Sequence, residues 1–161
     1  MRRRAPRLSP RAIEYLLSIL ERARHKGYAR QYELIEDLGV SKPTASLMVK
    51  KLRRAGYLEV EGEKIRLSEG GLKLVRELAW RHGVIEIALF ELGLSREGAC
   101  RIAWRIAQEI PAEDIERIWI RLGSPRSCPC GCQIPMTGNW AGDRMIETCV
   151  AFRAGRRLER P

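Results

Sequence analysis

The feature that most constrains the fold is the regular spacing of helix caps and stop signals in the first 70 residues. Ser9-Pro10 opens a helix whose apolar residues recur at i, i+3, i+4 and i+7, and a glycine ends it. A second short helix is predicted over residues 31–38, and Ser41 then caps a third over residues 42–55 after a tight turn. This order is typical of a helix-turn-helix.

The following residues complete a small DNA-binding fold and begin a second helical region. Two short alternating strands are predicted on either side of a turn at residues 61–64, which is the hairpin of a winged helix. We therefore predict a mainly α protein with a winged helix-turn-helix domain followed by a helical dimerisation domain. The first domain is predicted to comprise residues 1–70 and the second residues 71–125, and helices are predicted at 68–92, 95–110 and 112–122. Residues 126–161 are predicted to form a Cys-rich loop and a basic tail, with a strand at 145–152.

The charge balance indicates a polyanionic partner. Thirty Lys and Arg residues face 20 Asp and Glu residues, so the net charge is +10 and the isoelectric point about 9.9, with +7 of that charge in residues 1–70. The third helix is the one that enters the major groove of double-stranded DNA in this motif. Ordinary solvated charges are the alternative explanation. The predicted DNA-binding residues are Ser41, Lys42, Thr44 and Ser46 for bases or phosphates, and Lys50, Lys51, Arg53, Arg54, Lys64 and Arg66 for phosphates.

Three of the five cysteines form a separate motif, Cys128-Pro-Cys130-Gly-Cys132. Alternating thiolates can hold one soft metal ion in a reducing compartment, and Cys149 or Cys100 could supply a fourth donor. The spacing does not distinguish a Zn2+ site from an iron–sulfur cluster. The alternative is that the three thiols bind no metal and lie in a surface loop. The motif predicts a metal site.

Other classes of protein are disfavoured by the sequence. No apolar run approaches the ~20 residues that span a bilayer, and the basic N-terminus lacks the features of a signal peptide, so we expect a cytoplasmic protein with no membrane partner. His25 and His82 are far apart in the chain, and the common catalytic motifs of hydrolases, nucleotide-binding enzymes and metalloproteases are missing. We therefore do not expect catalytic activity.

Several stretches carry a family resemblance: SKPTASLMVKKL at 41–52, AGYL at 55–58, LSEGG at 67–71, WRHGVIE at 80–86, GACR at 98–101 and QIP at 133–135. Together they resemble the diphtheria toxin repressor family of iron- and manganese-dependent transcriptional repressors. The resemblance implies a homodimer formed by the helices after the wing, a divalent metal between the two domains, and no SH3-like third domain. It also implies DNA contacts at Ser41, Pro43, Thr44 and Ser46, whereas Leu47 stands where some members have an amide.

The predicted metal ligands come from two sources. His82 and Glu86 lie four apart on one helix, so an imidazole and a carboxylate reach the same point. The resemblance adds Glu14 and Cys100, but the two further family ligands, a Glu and a His, are replaced by Ala103 and Trp104. If the cysteine loop folds back toward Cys100 and His82, its thiolates would compensate and favour Zn2+, Fe2+ or a cluster over Mn2+.

Two functional hypotheses follow. The first is a dimeric transcriptional repressor that responds to a metal ion, or to redox state or an iron–sulfur cluster, and binds a palindromic operator. The second is an effector-independent DNA-binding protein with a structural zinc site in the cysteine loop. A homodimer is also favoured by the apolar positions of residues 95–110 and 112–122, which exceed what one small bundle needs.

Overall fold

The computed structural model describes residues 7–134 of the chain. Within that range the fold is mainly helical, with one two-stranded antiparallel sheet, as the sequence predicts. The predicted strand at residues 145–152 and Cys149 lie outside the described residues. The elements are α1 (Pro10–Lys26), α2 (Gln31–Leu38), α3 (Lys42–Arg54), β1 (Leu58–Glu61), β2 (Lys64–Leu67), α4 (Glu69–Glu91), α5 (Arg96–Ile106) and α6 (Ala112–Arg121).

Serine caps begin four of the helices. The hydroxyl of Ser9 accepts a hydrogen bond from the N–H of Ala12, and that of Ser41 accepts one from Thr44. Ser68 and Ser95 cap α4 and α5 in the same way. These bonds satisfy N–H groups that have no partner inside the helix, so the short polar residue before each apolar stripe fixes where the helix starts.

Helix α5 ends at Ile106, four residues before the predicted end at residue 110. Pro111 disfavours helical geometry in the residue before it, and the chain closes with a tighter bond from the Glu109 N–H to the Ile106 carbonyl. The side chain of Gln108 then makes two hydrogen bonds to the backbone of Leu8, at 3.0 and 2.8 Å. The turn after α5 therefore holds the segment that precedes α1.

The wing is a hairpin tied to the helical part of its domain. Its strands pair from Leu58 with Leu67 to Glu61 with Lys64. Ala29, between α1 and α2, exchanges two backbone hydrogen bonds with Ile65, so it extends the hairpin on one side. Strand β2 contacts α1 and strand β1 contacts α3, with Leu58, Ile65 and Leu67 of the hairpin buried.

Helix α4 connects the two halves. Its first turn is held against the end of α3, because the Ser68 hydroxyl donates to the Gly56 carbonyl at 2.6 Å and the Ser68 N–H donates to the Tyr57 carbonyl at 3.0 Å. A Cβ atom on Gly71 would lie 2.1 Å from the Tyr57 oxygen, so only glycine permits this approach. Farther along, α4 packs on α5 and α6.

A continuous apolar core joins the two halves. Its largest fully buried side chains in the first half include Tyr15, Leu16 and Ile19 of α1, and the same cluster extends to Cys100, Cys132 and Ile134. A second cluster fills the space between α4, α5 and α6, with Val84, Ile85, Ala103 and Ile115 buried. No helix in residues 7–134 has the length and apolar content required to cross a membrane.

Candidate metal centre and nucleic-acid interface

Three buried donor groups meet between α4 and α5. The Nε2 atom of His82 lies 3.4 Å from a carboxylate oxygen of Glu86 and 3.5 Å from the sulfur of Cys100. One ligand atom from each residue lies within 4.8 Å of the other two, and all three side chains are at most 1% exposed. The i, i+4 spacing places His82 and Glu86 on one side of α4, and Cys100 faces them from α5.

The cysteine loop folds back onto α4 beside this group. The Cys128 N–H donates to the Cys132 carbonyl at 2.9 Å, and the Gly131 N–H donates to the Cys128 carbonyl at 2.9 Å, which closes a tight turn. Gly131 has a φ of 83°, a conformation that favours glycine. The turn places the sulfurs of Cys128 and Cys130 and a carboxylate oxygen of Glu86 within 4.8 Å of one another.

Glu86 is therefore common to two donor groups. One contains His82 and Cys100, and the other contains Cys128 and Cys130. A carboxylate has two oxygens, so the Glu86 side chain can bind a metal together with ligands of either group. The sequence indicates both groups separately, but it does not show that Glu86 joins them.

A glycine on α4 allows the loop to come this close. A Cβ atom on Gly83 would lie 2.9 Å from Cγ1 of Ile134, a distance that real Cβ contacts essentially never show. Ile134 is buried, and its N–H donates to the Arg126 carbonyl at 2.8 Å. A glycine inside a helical pattern often marks such a close approach, and this was the available signal in the sequence.

The indole of Trp104 stacks on the imidazole of His82, with ring centroids 4.1 Å apart and ring planes at 16°. In the sequence, Trp104 is identified only as the residue that replaces a family ligand, and no local pattern indicates this stack. The stack lies on α5, one turn beyond Cys100, so one helix supplies both a donor atom and the surface that orients the imidazole.

The other predicted ligands have different surroundings. The carboxylate of Glu14 is 38% exposed, forms an ion pair with Arg11 at 2.6 Å and belongs to neither donor group. Cys132 is buried in the core but is also outside both groups, and Cys149 lies beyond residue 134. Ligand roles for these three residues stay predictions, and the ligand set proposed below contains none of them.

The predicted recognition helix presents a basic surface. Helix α3 contains five Lys or Arg residues and no acidic residue, while Ala45, Val49 and Leu52 face the core. The hydroxyls of Ser41 and Thr44 lie 2.8 Å apart at its N-terminus. The other predicted contacts Lys42, Pro43, Lys50, Lys51, Arg53 and Arg54 are exposed, and Ser46 is partly exposed.

The two basic residues of the wing differ in their surroundings. Lys64 is exposed and lies 5.2 Å from the ring centroid of Tyr28. The guanidinium of Arg66 instead forms ion pairs with Glu59 and Glu61, each at 3.2 Å. Exposed ion pairs of this kind contribute little stability, so they do not prevent Arg66 from contacting a phosphate.

A carboxylate of α2 ties the loop before it to α1. Burial acts to raise the pKa of Glu33, but hydrogen bonds from Lys26 Nζ and the Arg30 N–H lower the pKa more, so it lies below its ordinary value. The second bond, at 2.7 Å, also satisfies the backbone at the start of α2. This carboxylate therefore fixes the position of α2 relative to α1.

The two halves of the chain match two family models. Residues 7–65 match the N-terminal DNA-binding domain of the iron-dependent repressors. Residues 68–136 match the metal-binding and dimerisation domain of the same proteins. Together these matches cover the helix-turn-helix, the wing, both donor groups and the whole described helical region.

Individual relatives agree with these matches. An HTH-type transcriptional regulator from Aeropyrum pernix is 30% identical over 122 residues, which are 74% of this chain and 68% of that protein. The structure of SSo2273 from Sulfolobus solfataricus superposes with a TM-score of 0.72 at 29% identity, over 80% of this chain and all of that one. The structure of ScaR with bound Zn2+ superposes with a TM-score of 0.68 at 28% identity, over 80% of this chain and 61% of that one. The chain belongs to the iron-dependent repressor family.

Proposed function

We propose that this protein is a metal-responsive transcriptional repressor that binds operator DNA through α3 and the wing. Its effector is a divalent transition-metal ion held by His82, Glu86 and Cys100 together with Cys128 and Cys130. The observation that carries this proposal is the position of Glu86, because a carboxylate oxygen of Glu86 lies within 4.8 Å of donor atoms in each of the two groups.

The donor set fits such an ion. Imidazole, carboxylate and thiol are the side chains that bind first-row divalent metals, and thiolates select Zn2+ and Fe2+ over Mn2+. His82, Glu86 and Cys100 are buried among apolar residues, where a group of ionisable side chains is costly unless their charges are balanced. A bound divalent ion would supply that balancing positive charge.

The chain offers a direct mechanical connection from these donors to the DNA-binding face. His82 and Glu86 lie on α4, whose first turn is fixed to Gly56 and Tyr57 just after the recognition helix. Cys100 and the cysteine loop approach α4 from the dimerisation domain. When all five donors are drawn together, the orientation of α4 relative to α5 and the loop is restricted, and with it the orientation of α3.

We infer that the functional unit is a homodimer. The second half matches a dimerisation domain, and several large apolar side chains remain exposed there in the single chain. A symmetric dimer presents two recognition helices to two half-sites of an operator, which raises the affinity over that of one winged helix. The exposed side chains are Phe90, Leu92, Ile102 and Ile120.

The first test measures metal and DNA binding by the purified protein. We expect about one equivalent of metal per chain by elemental analysis, since the five donors are proposed to hold one ion, and a thiolate charge-transfer absorption on titration with Co2+. Cys128→Ser with Cys130→Ser should weaken that absorption, whereas Cys132→Ser, a matched change at a buried cysteine outside both groups, should retain it.

Three results would argue against parts of this proposal. A visible absorption spectrum typical of an iron–sulfur cluster would show that the cofactor is a cluster rather than a divalent ion. Stoichiometric zinc whose removal leaves DNA affinity unchanged would favour an effector-independent protein with a structural zinc site. A monomer by sedimentation at micromolar concentration, with metal and without it, would contradict the homodimer.

A further inference from the structure

Leu47 has an unusual position on the recognition helix. Its side chain is 70% exposed, although Ala45, Val49 and Leu52 of the same helix are buried and Met48 is half-buried. Only a few large apolar side chains of residues 7–134 are so exposed, and the remainder of these lie on α2 or in the dimerisation domain. Packing among residues 7–134 does not account for the position of Leu47.

The neighbours of Leu47 define what can cover it. Residues three and four positions away on a helix lie beside one another, so Thr44 and Pro43 flank Leu47 on one side and Lys50 and Lys51 on the other. All four are exposed. An apolar side chain surrounded by hydroxyl and ammonium groups fits a surface that is apolar at one point and anionic around it. A second protein chain could cover Leu47 only with an apolar spot surrounded by acidic residues. DNA carries phosphates along its whole length, so it provides the anionic surroundings everywhere.

The major groove of DNA contains one such apolar group, the C5-methyl of thymine, between two rows of phosphates. Small apolar contacts to this methyl distinguish thymine from the other bases. The ammonium groups of Lys50 and Lys51 lie beside Leu47 and can contact the phosphates. The Thr44 hydroxyl can reach a neighbouring base edge or phosphate.

We propose that Leu47 reads a thymine methyl group in each operator half-site, and that it is a specificity-determining residue of this protein. This inference rests on the proposed DNA-binding function. It predicts an operator that contains a thymine where the centre of α3 meets the major groove. A polar amide at position 47 would instead prefer a base edge with hydrogen-bonding groups.

The experiment removes the methyl group alone. Operator duplexes are first selected from a random pool with the metal-loaded protein, and each thymine is then replaced singly by deoxyuridine. At one position per half-site, we expect the replacement to weaken binding of the parent protein by about fourfold, which corresponds to ~0.8 kcal/mol for one buried methyl-sized group. With Leu47→Ala the same replacement should have almost no effect.

A matched control and two outcomes separate this inference from the proposed function. Lys73→Ala, at an exposed residue of α4 that belongs neither to the proposed DNA contacts nor to the exposed apolar side chains of the dimerisation domain, should retain the full deoxyuridine effect. If operator binding depends on Thr44 but every deoxyuridine effect is unchanged by Leu47→Ala, or if the selected half-site has no thymine, the thymine contact is wrong and the DNA-binding function stands. If no duplex is selected at all, both are wrong.

Discussion

The imidazole of His82 and the indole of Trp104 form a parallel stack, with centroids 4.1 Å apart. The stack joins α4 to α5 at the point where Cys100 also faces α4. It fixes the plane of the imidazole so that Nε2 lies toward both Glu86 and Cys100. Trp104 thus acts as a positioning residue for a candidate metal ligand, at a place where the family resemblance led us to expect a ligand itself.

This contact provides a spectroscopic prediction. Metal binding by His82 changes the charge on the ring that covers Trp104, so tryptophan emission should change on metal titration and saturate at the binding stoichiometry. Trp104→Phe should abolish most of that change. Trp119→Phe removes an indole of α6 whose N–H donates to the Pro125 carbonyl, and this change should preserve the response. A full response in the Trp104→Phe protein would show that the metal binds elsewhere.

The close approach at Gly83 gives a second prediction. Gly83→Ala should move the cysteine loop away from Glu86, because the new Cβ would meet Ile134 at 2.9 Å. We expect metal affinity to fall by about tenfold, the size of effect typical when the support of a metal ligand is disturbed. Because Ile134→Ala makes room for the new Cβ, the double variant Gly83→Ala/Ile134→Ala should bind metal as tightly as Ile134→Ala alone. Unchanged affinity in the single variant would contradict the described position of the loop.

The winged helix could be read from the sequence because its signals are local. Ser9, Ser41 and Ser68 cap helices where predicted, and the turn at residues 61–64 joins the two strands. Helix α5 was predicted four residues too long, because the pattern of apolar residues continues into a turn that Pro111 and the contact of Gln108 with Leu8 impose.

The candidate metal site could be predicted only in part. The spacing of His82 and Glu86 and the cluster of cysteines are visible in the chain, since both depend on residues close in sequence. The meeting of Cys128 and Cys130 with Glu86 depends on how a loop packs about 40 residues later, which no local pattern encodes. The Trp104 stack is likewise a contact between two helices.

Stability of the DNA-binding half should depend on Glu33. Its lowered pKa means that the ionised form stabilises the fold above the ordinary pKa near 4.5, and that this contribution is lost as the pH falls through the lower, folded-state pKa. Glu33→Gln should therefore cost about 1–3 kcal/mol at pH 7. The difference from the parent in chemical unfolding should shrink below about pH 4.5. Glu36→Gln, at an exposed site on the same helix, should change stability by about 0.5 kcal/mol or less.

DNA binding should depend on salt through the lysines of α3. Each neutralised phosphate releases counterions, so Lys50→Ala should weaken binding to all sequences alike and reduce the log–log salt slope by about 1 per contact. Thr44→Ala should mainly reduce preference for the operator. Lys73→Ala, at an exposed lysine of α4, is the control and should leave the slope unchanged. Equal effects of Lys50→Ala and Thr44→Ala on operator and random DNA would rule out sequence-specific readout by α3.

If the donors around Glu86 control operator affinity, operator binding should differ between the protein saturated with metal and the same protein after chelation. For the parent protein and for Cys132→Ser we expect chelation to weaken binding by about tenfold or more, which corresponds to ~1.4 kcal/mol of coupling. For Cys128→Ser/Cys130→Ser, kept folded and dimeric, we expect a change of about twofold or less. If that variant responds as strongly as the parent, or if the parent does not respond, the account is contradicted.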